Sequence, residues 1–228
     1  MESVILTKAR AKIATYNNDI GLHYNLVANQ IYEKRFAGST DPFAKSFLLY
    51  IIAGLISFDM GRMMGDRPYE TKADGFASRL NRKLQNVRWL LKPLMNTALT
   101  QLNLQEYRSS ISSAYDALSA KGNGALHMDS KKSFHVGATK ILHFLNPKLF
   151  IIVDSNAARA FRLAHDVPFR NTTQPGYSAK RYIDCMEYAR KDIWGYGLDK
   201  LKALEPGVPI TRIYDKLTFV TGHDLSQK

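Results

Sequence analysis

The sequence predicts an all-α protein, and three observations predict it. Nearly every segment repeats its apolar residues at three- and four-residue steps, the period of one helix face. Helix-opening and helix-closing residues punctuate those segments, as in Thr40-Asp41-Pro42, Asp154-Ser155, Asn146-Pro147 and Lys121-Gly122-Asn123-Gly124. Phe150-Ile151-Ile152-Val153 alone has strand character, and four apolar residues without a partner run cannot make a sheet.

Taken in order, Ser3 to about Tyr16 and Ile20 to about Phe36 read as two polar-faced helices, broken at Asn17-Asn18. The apolar run from Phe47 to Ile56 reads as a buried core helix. Thr40-Asp41 supplies its cap, Pro42 its first helical position, and it runs towards Arg62. Bounded by Lys45 and Asp59, that run is shorter than the roughly 20 residues a bilayer span needs, so no membrane partner is expected. Phe58, Met60, Met63, Met64 and Tyr69 are expected to fill core, with a turn at Asp66-Arg67-Pro68. Phe76, Leu80, Leu84, Val87 and Leu91 then mark an amphipathic helix. Its opposite face carries Arg79, Arg82, Lys83 and Arg88, a charge run that ordinarily is a solvated face.

Pro93 disturbs that helix, and another is expected to resume through Leu94, Ala98 and Leu102. Gln105 to Ala120 is a further helix, closed by Gly122 and Gly124. A short helix from about Gly137 to Leu145 stops at Asn146-Pro147, and another runs from about Ser155 to Ala164. Asn171 to Gly176 is a loop; Ser178 to about Leu204 is a long helix with possible breaks at Gly195 and Gly197. Pro209-Ile210-Thr211 opens the last helix.

Composition narrows the function classes. At 228 residues and 45% apolar content the chain buries a proper core, as one large domain or two small lobes. Lys and Arg outnumber Asp and Glu by 32 to 20, and the pI is near 9.7, a field that favours nucleic acid or acidic membrane surfaces. A single cysteine, Cys185, excludes an intramolecular disulfide and a four-cysteine iron–sulfur site, and no Cys/His cluster has zinc spacing. Met1-Glu2-Ser3 lacks the start of a signal peptide, so the expected location is cytoplasmic, nucleoid-associated if bacterial or archaeal.

The chemistry concentrates in His135-Val136-Gly137-Ala138-Thr139-Lys140 and Val153-Asp154-Ser155-Asn156-Ala157-Ala158-Arg159. A lysine and an aspartate presented from neighbouring helix ends can break an N-glycosidic bond. The lysine attacks the sugar, and the aspartate holds the positive charge that develops as the base leaves. Asp154 is also a natural N-cap for Ser155-Asn156-Ala157. Ala138, Ile141, Leu142 and Leu145 form the buried stripe of their helix, which puts Lys140 and His143 on its flank. Lys131, Lys132 and Ser133 precede the helix start at Gly137, where free N–H groups attract phosphate, or form a solvated loop; His143 could orient a phosphate or a water, although a flanking histidine is more often a packing residue. Arg159 and Arg162 can reach phosphates from the helix after Asp154, although Arg159 could as easily bridge to a core carboxylate.

These two segments resemble the helix-hairpin-helix DNA glycosylases, the superfamily of endonuclease III and the adenine glycosylases. The match is best from Phe150 to Arg159. The resemblance implies two helical lobes with a cleft: a central lobe at 41–124, and a second lobe of 1–40 plus 125–228 that carries the hairpin and Asp154. It implies excision of a damaged or mismatched base from double-stranded DNA, with no cofactor. Asp154 would be the catalytic carboxylate, and Lys140 the nucleophile for strand cleavage by β-elimination. Ser133 to Gly137, including His135, would be the phosphate-holding hairpin. The sequence differs from the family pattern Leu-Pro-Gly-Val-Gly in having one glycine and no proline, and Lys140 lies three residues after Gly137 where the family has two. A non-catalytic DNA-binding module of the same fold and a basic helical interaction protein are the alternatives.

Overall fold

The computed structural model describes residues 3–36, 41–58, 64, 65, 69, 70, 72, 75–169 and 176–226. Met60 and Met63, the Asp66-Arg67-Pro68 turn and the loop residues 171–175 lie outside them. Among the described residues the protein is all-α: ten α-helices and no strand. The chain forms two units, each drawn from separated stretches of sequence. The first comprises Met1–Leu22, Thr97–Arg108 and Pro147–Lys228; the second comprises His23–Asn96 and Ser109–Asn146.

This division differs from the expected lobes, because residues 23–40 and 125–146 join the central part of the chain and 97–108 leave it. Side-chain packing explains it. Tyr32 hydrogen-bonds His143 at 2.7 Å, and Arg35 Nε donates to the Leu145 carbonyl at 2.7 Å, so the early helix is bound to the late one.

In the first unit, α1 (Ala9–Thr15) passes directly into a π-helical turn at Tyr16–Ile20. The expected break at Asn17-Asn18 is absent, because the Gly21 N–H reaches the Tyr16 carbonyl at 2.7 Å and carries the coil to the glycine. The second unit holds α2 (Leu22–Phe36, its first residue counted with the first unit), α3 (Lys45–Ser57), α4 (Phe76–Leu91), α5 (Arg108–Ser119) and α6 (His135–Leu145). The remainder of the first unit is α7 (Ser155–His165), α8 (Ala179–Tyr196), α9 (Leu198–Lys202) and α10 (Ile210–Ser226).

Helix α10 is the spine of the first unit and packs against α7 and α1. It is buried nearly all round: Ile213, Tyr214 and Leu217, but also Arg212, Asp215, Lys216 and Thr218. Gly222 makes the approach to α7 possible, since a Cβ there would lie 1.8 Å from the Asn156 carbonyl oxygen. Helix α6 has the same standing in the second unit, with every residue from Gly137 to Leu145 buried. Its final carbonyls have no helical partner, and Arg35 satisfies that of Leu145.

Several local expectations are corrected. Helix α3 begins at Lys45 rather than Pro42, because the Asp41 carboxylate accepts the Phe43 N–H at 3.1 Å and closes a turn first. Tyr69 is half exposed, outside the core that Met64 joins. No helix forms through Leu94, Ala98 and Leu102. After a 3-10 turn at Lys92–Leu94 the Leu99 N–H is taken by the distant Lys148 carbonyl at 3.0 Å. The apolar face of α4 is as expected, with Phe76, Leu80, Leu84, Val87 and Leu91 all buried. Among the described residues no helix is long and apolar enough to cross a membrane.

Candidate active site

Phe150 to Val153 run extended and without a neighbouring strand, so side chains must satisfy their backbone groups. Tyr182 from α8 donates its hydroxyl to the Ile151 carbonyl at 3.0 Å, and the Ile152 N–H donates to Asp215 Oδ1 from α10 at 2.9 Å. Thr211 bonds the Pro147 carbonyl just upstream. The segment therefore arrives at Asp154 held on both sides, which is what fixes a carboxylate in place.

Asp154 is the N-cap of α7. Its backbone is extended, and its Oδ1 accepts the Ala157 N–H at 2.9 Å. The residue is half-buried at the positive end of the α7 dipole. Two groups of the same unit that sequence reasoning missed feel its charge. Tyr177 has its hydroxyl pKa raised, first by burial and then by the negative charge of Asp154, with Arg159 acting the other way. Asp215 is buried, and burial pushes its carboxyl well above the usual range. Arg212 and the Ile152 N–H oppose that shift, and Asp154 adds to it. The result is a pair of carboxyls in unlike settings, one capped at the edge and one sealed below it. Neither Tyr177 nor Asp215 carried a signal in the sequence, because each reaches Asp154 from a distant segment.

Arg159 and Arg162 lie on α7 as expected. With Leu163, Asp166 and Leu225 they line a shallow pocket of about 340 Å³. Arg162 is exposed, whereas Arg159 is half-buried with its Nε directed at the Ser155 carbonyl, 3.5 Å away.

The hairpin residues belong to the second unit, whereas Asp154 belongs to the first. Helix α6 starts at His135 after Phe134, and no side chain caps it. Lys131 and Lys132 are exposed on the preceding turn, and Ser133 is half-buried. The Asp129 carboxylate accepts the Lys131 N–H at 3.0 Å and lies 3.6 Å from Lys132 Nζ. His135 stacks on Tyr115 and bonds its hydroxyl at 3.1 Å. Burial lowers the His135 pKa; Asp116 opposes and Lys121 adds to the fall, so the ring is neutral at pH 7 and offers a phosphate no charge. Gly137 is filled by packing. The Phe134 ring lies where its Cβ would stand, with Cε1 only 1.9 Å away.

Lys140 and His143 correct the sequence reading most. They are not on a flank: Lys140 is 4% exposed and His143 is fully buried. The Lys140 ammonium sits 3.9 Å over the Phe58 ring, a cation–π contact, and His143 is bound to Tyr32. A histidine sealed in this way touches no phosphate. An apolar stripe marks one buried face, but it does not show that the remaining faces are also covered, and α6 is covered on all of them.

Among the described residues no group of three or more His, Cys, Asp or Glu could hold a metal ion. Comparisons with models of known protein families, with characterised proteins and with solved structures find no match.

Proposed function

We propose that the protein is a monofunctional DNA N-glycosylase in which Asp154 stabilises the sugar cation. The observation that carries this reading is the placement of Asp154. Its carboxylate is half-buried at the head of a helix whose next turns bear Arg159 and Arg162, on a chain of net charge +12. In the proposed reaction the C1′–N bond breaks, its electron pair leaves with the base, and Asp154 offsets the charge on the sugar. Water then adds to C1′ and releases a proton. The partner is double-stranded DNA, and the target nucleotide is extruded before chemistry, because its glycosidic bond is not reachable inside the stack.

The burial of Lys140 favours the monofunctional route over the lyase route, since a sugar cannot meet an amine held under Phe58 without opening α6. A second reading is a DNA-binding module without chemistry, favoured by the burial of Lys140, which leaves the proposed nucleophile out of reach.

One assay tests these readings: duplexes carrying a panel of damaged and mismatched bases, incubated with and without borohydride. Base release by the wild type, reduced about a hundredfold or more in Asp154→Asn, is the expected result. No trapped adduct is expected from the wild type or from Lys140→Gln. Trapping that disappears in Lys140→Gln would establish the lyase instead. No base release on any substrate would leave the binding module.

A further inference from the structure

The second unit carries a pocket that takes no part in the chemistry above. It lies between α3 and α4, has a volume of about 410 Å³, and is lined on its polar side by Lys45, Ser78, Asn81, Arg82, Gln85 and Asn86. Two cations, three amides and a hydroxyl face it, and among the described residues no carboxylate lines it. Asp41, just ahead of α3, is paired with Arg88 at 2.8 Å. One of the amides, Gln85, also donates to the Phe43 carbonyl at 2.8 Å and so is fixed in place. Trp89 continues the face along α4. It lies three and four residues beyond Asn86 and Gln85, on the same side of the helix, and is 73% exposed.

We propose that this face of α4 binds single-stranded nucleic acid, with a base stacked on Trp89 and the sugar-phosphate backbone following Arg82 and Lys45. Cations suit phosphates, and amides present both donors and acceptors to base edges. An exposed indole supplies the sequence-tolerant platform on which unpaired bases stack. A duplex fits less well, because both faces of each of its bases are already occupied by neighbours. From Arg82 to Trp89 the helix rises about 10 Å, the span of about three nucleotides in a stacked strand. The proposal is independent of the role given to Asp154.

The chain has two tryptophans, so a Trp194→Phe variant leaves Trp89 as the single indole reporter. Titration with a short oligothymidylate is expected to quench Trp89 fluorescence, and the affinity is expected to fall steeply with salt. Trp89→Ala in the wild-type background should weaken binding about tenfold, measured by fluorescence anisotropy of a labelled strand, while Trp89→Phe retains most of it. Changing Lys45 and Arg82 together to glutamine should lower the slope of log affinity against log salt by about 1.4, from two phosphates on a single strand. Equal quenching by polyglutamate would point to an acidic protein partner and overturn the proposal. Absent quenching, an unchanged slope, or unaltered affinity in Trp89→Ala would overturn it as well. Repeating the titration with Asp154→Asn separates this result from the glycosylase reading, because binding at α4 should not change.

Discussion

Asp215 and Lys216 are adjacent on α10, both are buried, and burial drives them in opposite directions. The Lys216 ammonium is brought down to about 8 by burial and by Arg212, against the pull of Glu205, which it meets at 2.6 Å. The Asp215 carboxyl is pushed up by burial. A carboxyl whose pKa rises on folding binds its proton more tightly in the native state than in the unfolded chain. Its favourable contribution is therefore complete below its unfolded pKa, about 4. It is lost as pH rises through the higher native value. Asn at this position keeps an oxygen for the Ile152 N–H and cannot ionise. Denaturant midpoints measured from pH 4 to neutrality should therefore fall less with pH in Asp215→Asn than in the wild type. Parallel profiles would show that Asp215 is not the group responsible. The same substitution bears on the site, because Asp215 holds the segment that delivers Asp154 through the Ile152 N–H.

At the scale of the helices, the closest constraint is where α10 crosses α7. A methyl group at position 222 would lie 1.8 Å from the Asn156 carbonyl oxygen, and backbone cannot swing aside as a side-chain tip can. Gly222→Ala should cost about 1–3 kcal/mol by overpacking. Gly195 in α8 has nothing within 4 Å of the same position, so Gly195→Ala should be neutral or stabilising by up to about 1 kcal/mol. Chemical denaturation of the two variants compares them directly, and equal effects would mean the α7–α10 approach relaxes. The sequence does not distinguish the two glycines, because only the fold shows which of them a distant segment approaches. What it does show is local. Asp154 and the Ala157 N–H are three residues apart, and the large buried residues of α4 repeat within one helix, so both could be read from spacing. The π-helical turn at Tyr16–Ile20, the unwound stretch around Leu99 and the complete burial of α6 could not. In each case the deciding partner is remote or the deciding geometry is a small change in helix winding. For the same reason Asp154 was legible as a cap, whereas the surroundings of Lys140 and the approach of Tyr177 were not.

For the molecule as a whole, a net charge of +12 makes binding to a polyanion depend on salt, and the slope counts phosphates. The two candidate sets of duplex contacts lie in different units: Arg159 and Arg162 in the first, Lys131 and Lys132 in the second. Each set can be removed without touching a core residue, since Arg162, Lys131 and Lys132 are exposed and Arg159 is half-buried. If duplex DNA is held beside Asp154, changing Arg159 and Arg162 to glutamine should lower the slope of log affinity against log salt by about 1.8, two phosphates at about 0.9 each. If the α6 turn also holds a phosphate on each lysine, the Lys131 and Lys132 pair should give a similar decrease. Lys132 shares its charge with Asp129, so the decrease from this pair should be the smaller of the two. Measuring slopes rather than affinities at one salt concentration matters here, because a chain this basic binds DNA weakly through almost any cationic face. A slope unaltered by the arginine pair would remove the duplex from the neighbourhood of Asp154, and the proposed chemistry would go with it.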